Sequence, residues 1–456
     1  STQGPALAVG DVNGDGLEDI YLGGAAGQIK KLFIQKPGGQ FVDSPQADFS
    51  LDQTTENTDA IFFDADKDGD LDLFVVTGSN EFAENAPELH DLLYLNDGKG
   101  NLKRDVRFPM IYENGSSVSA ADYDKDGDID LFVGTRMINA KYGQSAQSNL
   151  FINDGTGGFK NQSKRYMTQV TDLGMVTDSE WSDVNGDGYV DLLVTQDWGP
   201  VVVFINERGR KLTKQEPVAG SEGLWSCIKP ADIDGDGDMD FVLGNFGLNS
   251  KIQATAEKPA YLHVGDFDKN GAVEQIISCV TEDGNTYPMV LKGEMQRALP
   301  MIKKKFIKYK DYANQTFDDL FTPEQREGSV VRQITTTQSS FLINDGKGNF
   351  SLQALPYQAQ FSPIKGIQAG DFNKDGKLDI LLAGNFFDSL PEWGRFDANY
   401  GLLLEGQGKG KFAVKLSKQT GFKTLGQVRN MALVKGGKST YVVLAKNDDK
   451  AQVFKF

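Results

Sequence analysis

Seven short stretches of this chain carry side-chain oxygens at positions one, three and five, a glycine at six and a carboxylate at nine. They are DVNGDGLED from Asp11, DADKDGDLD from Asp64, DYDKDGDID from Asp122, DVNGDGYVD from Asp183, DIDGDGDMD from Asp232, DFDKNGAVE from Asp266 and DFNKDGKLD from Asp371. Like charges packed so closely repel unless a cation gathers them or the stretch stays open. Hard oxygen donors at alternate positions, with a glycine that permits a sharp turn, suit calcium. Cysteine and histidine are absent from all seven, which disfavours zinc and softer metals.

In this reading the side chains supply positions one, three, five and nine, and the backbone carbonyl supplies seven. The first loop offers Asp11, Asn13, Asp15, Leu17 and Asp19; the second Asp64, Asp66, Asp68, Asp70 and Asp72; the third Asp122, Asp124, Asp126, Asp128 and Asp130. The fourth offers Asp183, Asn185, Asp187, Tyr189 and Asp191, and the fifth Asp232, Asp234, Asp236, Asp238 and Asp240. The sixth offers Asp266, Asp268, Asn270, Ala272 and Glu274, and the seventh Asp371, Asn373, Asp375, Lys377 and Asp379. Up to seven Ca2+ ions are expected. A solvated Asp-Gly turn accounts for one such stretch, but not for seven with an acid at the ninth place. Position twelve of the first loop is Leu22, so the helix-loop-helix calcium motif is excluded.

The elements that must position these loops are short apolar runs on either side, such as AIFFD before and DLFVVTG after the second. They are rich in β-branched and aromatic residues and bounded by glycine, which reads as buried strands. A hairpin signal follows: YLNDGKGNL at 94–102, FINDGTGGF at 151–159, FINERGRKL at 204–212 and LINDGKGNF at 342–350, with looser forms at 33–41 and 403–412. Each repeat therefore holds four strands, and the first five loops recur about every 55 residues. The expected fold is all-β, a single-domain β-propeller over residues 1–456 with eight four-stranded blades, seven being the alternative. Blades start near 6, 59, 117, 177, 226, 280, 365 and 428, with an insertion at about 285–335 that is helical near 297–325. The 266 loop then takes the hairpin slot of repeat five, and the 342–350 hairpin belongs to a sixth repeat without an acidic loop. The tail forms an eighth blade completed by the N-terminal segment. All seven acidic loops are expected on one face.

The pattern D-x-[DN]-x-D-G-x-x-D resembles that of FG-GAP and VCBS-type repeat proteins and is similar to the loops of integrin α-subunit propellers. The resemblance covers nearly the whole chain apart from the insertion. It implies a calcium-stabilised propeller in a secreted or cell-surface protein, bacterial and outer-membrane-anchored or periplasmic. Dockerin modules and thrombospondin type 3 repeats share the loop but space their copies far more closely.

The net charge of −17, concentrated in the loops, argues against nucleic acid and anionic membrane as partners. No apolar run approaches the ~18 residues of a membrane span. The opening STQGPALAVG has no initiator Met and no signal pattern, which suggests a piece of a longer surface protein. Cys227 and Cys279 form either one bridge or two buried thiols.

Opposite the acidic loops lie the connections between second and third strands, which vary widely, and long loops on a rigid ring are the usual place for binding. They hold Phe82, His90, Arg136, Tyr142, Trp198, Phe246, Phe387, Trp393 and Arg395, side chains suited to glycan or protein ligands. The reading is a binding or adhesion module, with a polysaccharide-active, lyase-type enzyme as the alternative. A lyase needs a His, Tyr or Lys base beside a carboxylate and a cation. His90 lies between Glu88 and Asp91, while His263, on a strand, reads as structural. The basic run KKKFIKYK at 303–310 reads as a solvated helix face or a contact for an acidic partner.

Overall fold

The computed structural model describes residues 3–167, 169–170, 173–389, 393–437 and 439–456. Its architecture follows from strands that are apolar on both sides. Asp72–Thr77 is buried at all six positions, so it needs cover on both faces. Leu73 and Val75 pack with Tyr21 and Leu32 of the preceding sheet, and Phe74 and Val76 with Leu131 and Phe151 of the following one. Repeated sheet by sheet, this alternation stacks antiparallel sheets face to face.

The stack closes. The innermost strands are Leu7–Gly10, Asn57–Phe63, Asn114–Ala121, Met175–Ser182, Cys227–Ala231, Ile364–Gly370 and Gln427–Gly436. Each packs against the next, and the last packs against the first. One apolar cluster fills each of the seven junctions. The protein is a β-propeller, and its ring has seven blades.

Eight sheets are present among the described residues, but one stands outside the ring, so the expected eight blades are seven, the alternative count. It consists of Ala260–Gly265, Glu274–Val280, Thr286–Pro288 and Val330–Ile334. It lies inside blade five, whose sheet runs Cys227–Ala231, Asp240–Gly244, Ser340–Asn344, Phe350–Ala354. The second and third strands of that blade are thus separated by residues 245–339. This corrects three expectations. No blade starts near 280, the 342–350 hairpin belongs to blade five, and the insertion is much longer than 285–335. Spacing misled because a complete sheet sits within one strand connection. The helices do fall where expected, from Lys292–Ala298 to Pro323–Arg326, around their own core of Leu299, Ile302, Phe317, Leu320 and Phe321.

Blade seven contains Gln427–Gly436, Ser439–Asn447 and Gln452–Lys455, and no N-terminal strand completes it among the described residues. The ring instead closes by a bridge between Leu17 and Gly436, reinforced by the Glu18 N–H donating to the Lys435 carbonyl at 3.1 Å. Both cysteines are free thiols; Cys227 is buried, and Cys279 is half-buried against Met289. Among the described residues no helix is long and apolar enough to cross a membrane.

Candidate functional site

Loops joining first to second strands share an end of the ring with the hairpins joining third to fourth, so six acidic loops gather on one face. The seventh, from Asp266, lies in the insertion. Because the insertion is a second-to-third connection, this loop belongs to the opposite side, contrary to the expectation of seven together.

All seven have one backbone form. The glycine at position six is left-handed in every copy, with φ between +81° and +99°, a conformation that only glycine adopts without strain. Position four is also left-handed, whether Gly14, Gly186 and Gly235 or Lys67, Lys125, Lys269 and Lys374. That turn lets the first carboxylate accept the N–H of position six, as in Gly16 to Asp11 at 2.7 Å and Gly271 to Asp266 at 2.8 Å.

The side chains converge accordingly. Asp64, Asp66 and Asp72 bring one oxygen each to within 4.8 Å of one another, as do Asp122, Asp124 and Asp126; Asp232, Asp234 and Asp240; and Asp266, Asp268 and Glu274. The loops with Asn13, Asn185 and Asn373 at position three have one carboxylate fewer but the same geometry, their amide oxygens accepting the N–H of Asp15, Asp187 and Asp375. One buried oxygen on each of Asp64, Asp66, Asp70, Asp122 and Asp268 has no hydrogen-bond partner. Burial first, and neighbouring carboxylates second, push Asp70 up to about 6 and raise Asp66 and Asp124. Clustered, unsatisfied, hard oxygen atoms fit a divalent cation. In the third loop, Lys67 of the preceding loop is paired with Asp128.

The carboxylate at position nine has an additional role. In blade five the Ile233 N–H donates to one oxygen of Asp240 at 2.9 Å, and the Asn344 N–H to the other at 2.8 Å. Asp72, Asp130 and Asp191 tie their own loops to Asn96, Asn153 and Asn206 in the same way. Each of these hairpin asparagines then reaches the preceding blade. Asn96 donates to the Val12 carbonyl at 2.8 Å, Asn153 to Ala65 at 2.9 Å, Asn206 to Tyr123 at 2.9 Å and Asn344 to Val184 at 3.0 Å. Each acceptor is position two of an acidic loop, so the loops sit at blade junctions and the next blade clamps them. The Asn-Asp-Gly signal was legible as a turn; its clamp role needed the neighbouring blade.

The other end of the ring holds a cavity of about 650 Å3, lined by the inner strands, the insertion and the second-to-third connection of blade six. Arg136, Tyr142, Trp198, Phe246 and Trp393 all line it. Arg136 donates to Asp197 at 2.6 Å and the Tyr142 hydroxyl to the same oxygen at 2.7 Å. Trp198 is only 4% exposed and packs within the apolar cluster beneath the insertion. Phe246 meets Phe396 edge to face at 4.7 Å.

The remaining four expected residues are not among the cavity's lining. The Phe82 carbonyl accepts from Asn139, and the half-buried His90 ring contacts Tyr112. Phe387 carries the Arg395 guanidinium over its ring at 3.6 Å. His263 stacks on Phe317 at 3.6 Å and bonds Ser278 at 2.7 Å, and burial pushes it down to about 4. The basic run spans the end of one short helix and the start of the next; Lys305 bonds the carbonyls of Asp319 and Leu320.

Sequence reasoning missed the charged residues that inner strands turn into the cavity. Asp59, Asp178, Glu180 and Lys229 form one group, with Lys229 3.2 Å from Glu180. Burial, then the neighbouring Asp178, pushes Asp59 up to about 7. Burial alone would lower Lys229, but Glu180, Asp178 and Asp59 hold it raised. Lys365 and Arg429 form a second group with Arg136. Burial, reinforced by the two arginines, pushes Lys365 down to about 7. A common register was the available signal, since Asp59 and Asp178 each stand five residues before a loop's first aspartate.

The model of the FG-GAP-like repeat matches residues 11–75 and 183–243. The chain carries FG-GAP-like repeats. Each matched segment runs from one acidic loop through the rest of its blade to the inner strand, acidic loop and second strand of the next blade. No curated relative matches the chain in sequence. Among solved structures, the V. cholerae biofilm matrix protein Bap1 is 12% identical, with a TM-score of 0.43 and coverage of 100% of this chain and 87% of its own. BBS1N, in a complex with ARL6DN, is 11% identical, with a TM-score of 0.44 and coverage of 100% and 93%. A putative exo-beta-1,3-galactanase from Bifidobacterium bifidum is 9% identical, with a TM-score of 0.32 and coverage of 63% and 92%. These likenesses are too distant to carry a functional argument.

Proposed function

We infer that the protein is a calcium-stabilised, secreted or cell-surface propeller that binds a glycan or protein ligand in the cavity opposite its six gathered acidic loops. The observation that carries this reading is the convergence of Arg136, Tyr142, Trp198, Phe246 and Trp393, from four different strand connections or strand ends, on one 650 Å3 space. That volume lies within the ~300–1,000 Å3 of small-ligand sites, and aromatic walls with a few polar groups are their usual lining. Calcium supports the site from afar. Ions in the loops would neutralise the crowded carboxylates at the blade junctions and stabilise the folded ring by mass action.

One feature favours the lyase reading: a tyrosine, a carboxylate and an arginine meet in the cavity. Burial and the Asp197 charge raise the Tyr142 hydroxyl well above its ordinary value, however, which opposes its use as a base. Binding therefore ranks first. A glycan, polysaccharide and protein array of the full chain, followed by activity assays on every hit, tests both readings. Hits that weaken in Trp393→Ala support the cavity; hits unaffected by it, but lost on changing the acidic-loop face without unfolding, would refute it.

A further inference from the structure

The cavity's two groups of charges are unlike. Asp59, Asp178 and Glu180 gather around one cation, Lys229, on blades two, four and five, so the first group is rich in acid. The second group is rich in cations. Lys365 from blade six, Arg429 from blade seven and Arg136 at the end of a blade-three strand stand close enough to depress the Lys365 ammonium. Asp197 is the carboxylate among them, already held by Arg136 and Tyr142; the buried Arg429 donates to the Asn385 carbonyl at 3.0 Å and to Gln427 Oε1 at 2.6 Å, with Asp388 4.0 Å away. Among the described residues, Lys365 has neither an ion-pair partner nor a hydrogen-bond acceptor.

A lysine inside a cavity without a counter-ion is costly to keep charged, and an arriving anion removes that cost. Beside these cations stand the aromatic rings of Trp393, Phe246 and Phe386. Flat apolar ring faces next to a charged fork suit a ligand with one apolar face, many hydroxyls and one acid group. The cavity wall also offers Gln368 and Asn430 for hydroxyls.

We propose that the cavity binds an acidic saccharide, its carboxylate or sulfate received by Lys365 with Arg429 and Arg136, and a sugar face stacked on Trp393. This rests on the reading of the cavity as the ligand site and narrows it to one ligand class. A neutral sugar leaves Lys365 buried and unpaired, so the site discriminates by charge.

The test is calorimetric titration of the full chain, in saturating calcium, with a size-matched panel of uronate, sulfated and neutral trisaccharides in gluco, galacto and manno configurations. At least one acidic member should bind at least about tenfold more tightly than its neutral counterpart, the contribution of one charge-assisted hydrogen bond. The uronate and sulfate arms tell which acid group is preferred. Lys365→Met should lose that tenfold and bind acidic and neutral members alike, while melting no lower than the parent. Equal binding of acidic and neutral members by the parent, no binding of any member, or unchanged discrimination in Lys365→Met would each overturn the proposal. Array hits on neutral glycans or proteins that still depend on Trp393 would leave the cavity reading standing while the acidic ligand falls.

Discussion

Asp240→Ala removes a fully buried carboxylate with two separable duties. Its oxygens accept the N–H groups of Ile233 and Asn344, and with Asp232 and Asp234 it offers oxygens to one ion. Alanine strands both buried donors, each at about 1–3 kcal/mol, so without metal the loss is about 2–6 kcal/mol, less the repulsion relieved on Asp232 and Asp234. With calcium bound the loss must be larger, because repulsion no longer offsets it and a charged ligand is also gone. The assay is urea unfolding of the parent and Asp240→Ala in excess chelator and in millimolar calcium. Asp240→Asn, which keeps one acceptor oxygen, should fall between. An equal loss in both buffers would mean that Asp240 is a backbone staple and no ion ligand. A loss below about 1 kcal/mol in chelator would refute the staple itself.

Chelation should lower the melting temperature of the parent, and added calcium should restore it; identical melting with metal removal confirmed would exclude structural ions in the loops. Asp59 has a folded value raised to about 7 against an ordinary 3.8, so its contribution is fully present below about pH 4 and is lost as pH rises through 7. At fixed calcium, the melting of Asp59→Asn should therefore fall less than the parent's between pH 5 and pH 8, and parallel curves would contradict this. Trp198→Ala should cost about 3–5 kcal/mol because the ring is core, whereas the half-buried Trp393→Ala should change melting little, measured by thermal unfolding. Gly209→Ala puts a Cβ 2.7 Å from the Asp124 backbone of the neighbouring blade, while Gly220→Ala meets nothing within 4 Å at a similar φ. The first should lose clearly more stability than the second, and equal losses would deny that the hairpins clamp the loops.

The sequence alone determined what is local. Alternating oxygens with glycine at position six dictate the turn, apolar runs dictate the strands, and Asn-Asp-Gly dictates the hairpins. From these the four-stranded blade, the propeller and the candidate ion loops were all legible. Five of the nine residues expected on the variable loops line one cavity, because long connections such as those of Tyr142 and Trp393 converge wherever the ring brings strand ends together. Blade count was not legible: spacing cannot tell a sheet inserted between Gly244 and Ser340 from a blade, and only pairing of Asp240 with Asn344 assigns the hairpin. Nor was the cavity's charge legible, since Lys365 and Arg429 are 64 positions apart and Arg136 comes from the far side of the chain. Pattern reports a residue's own strand, whereas a site on the ring's axis is made by several blades, and ring closure alone fixes which of their side chains meet.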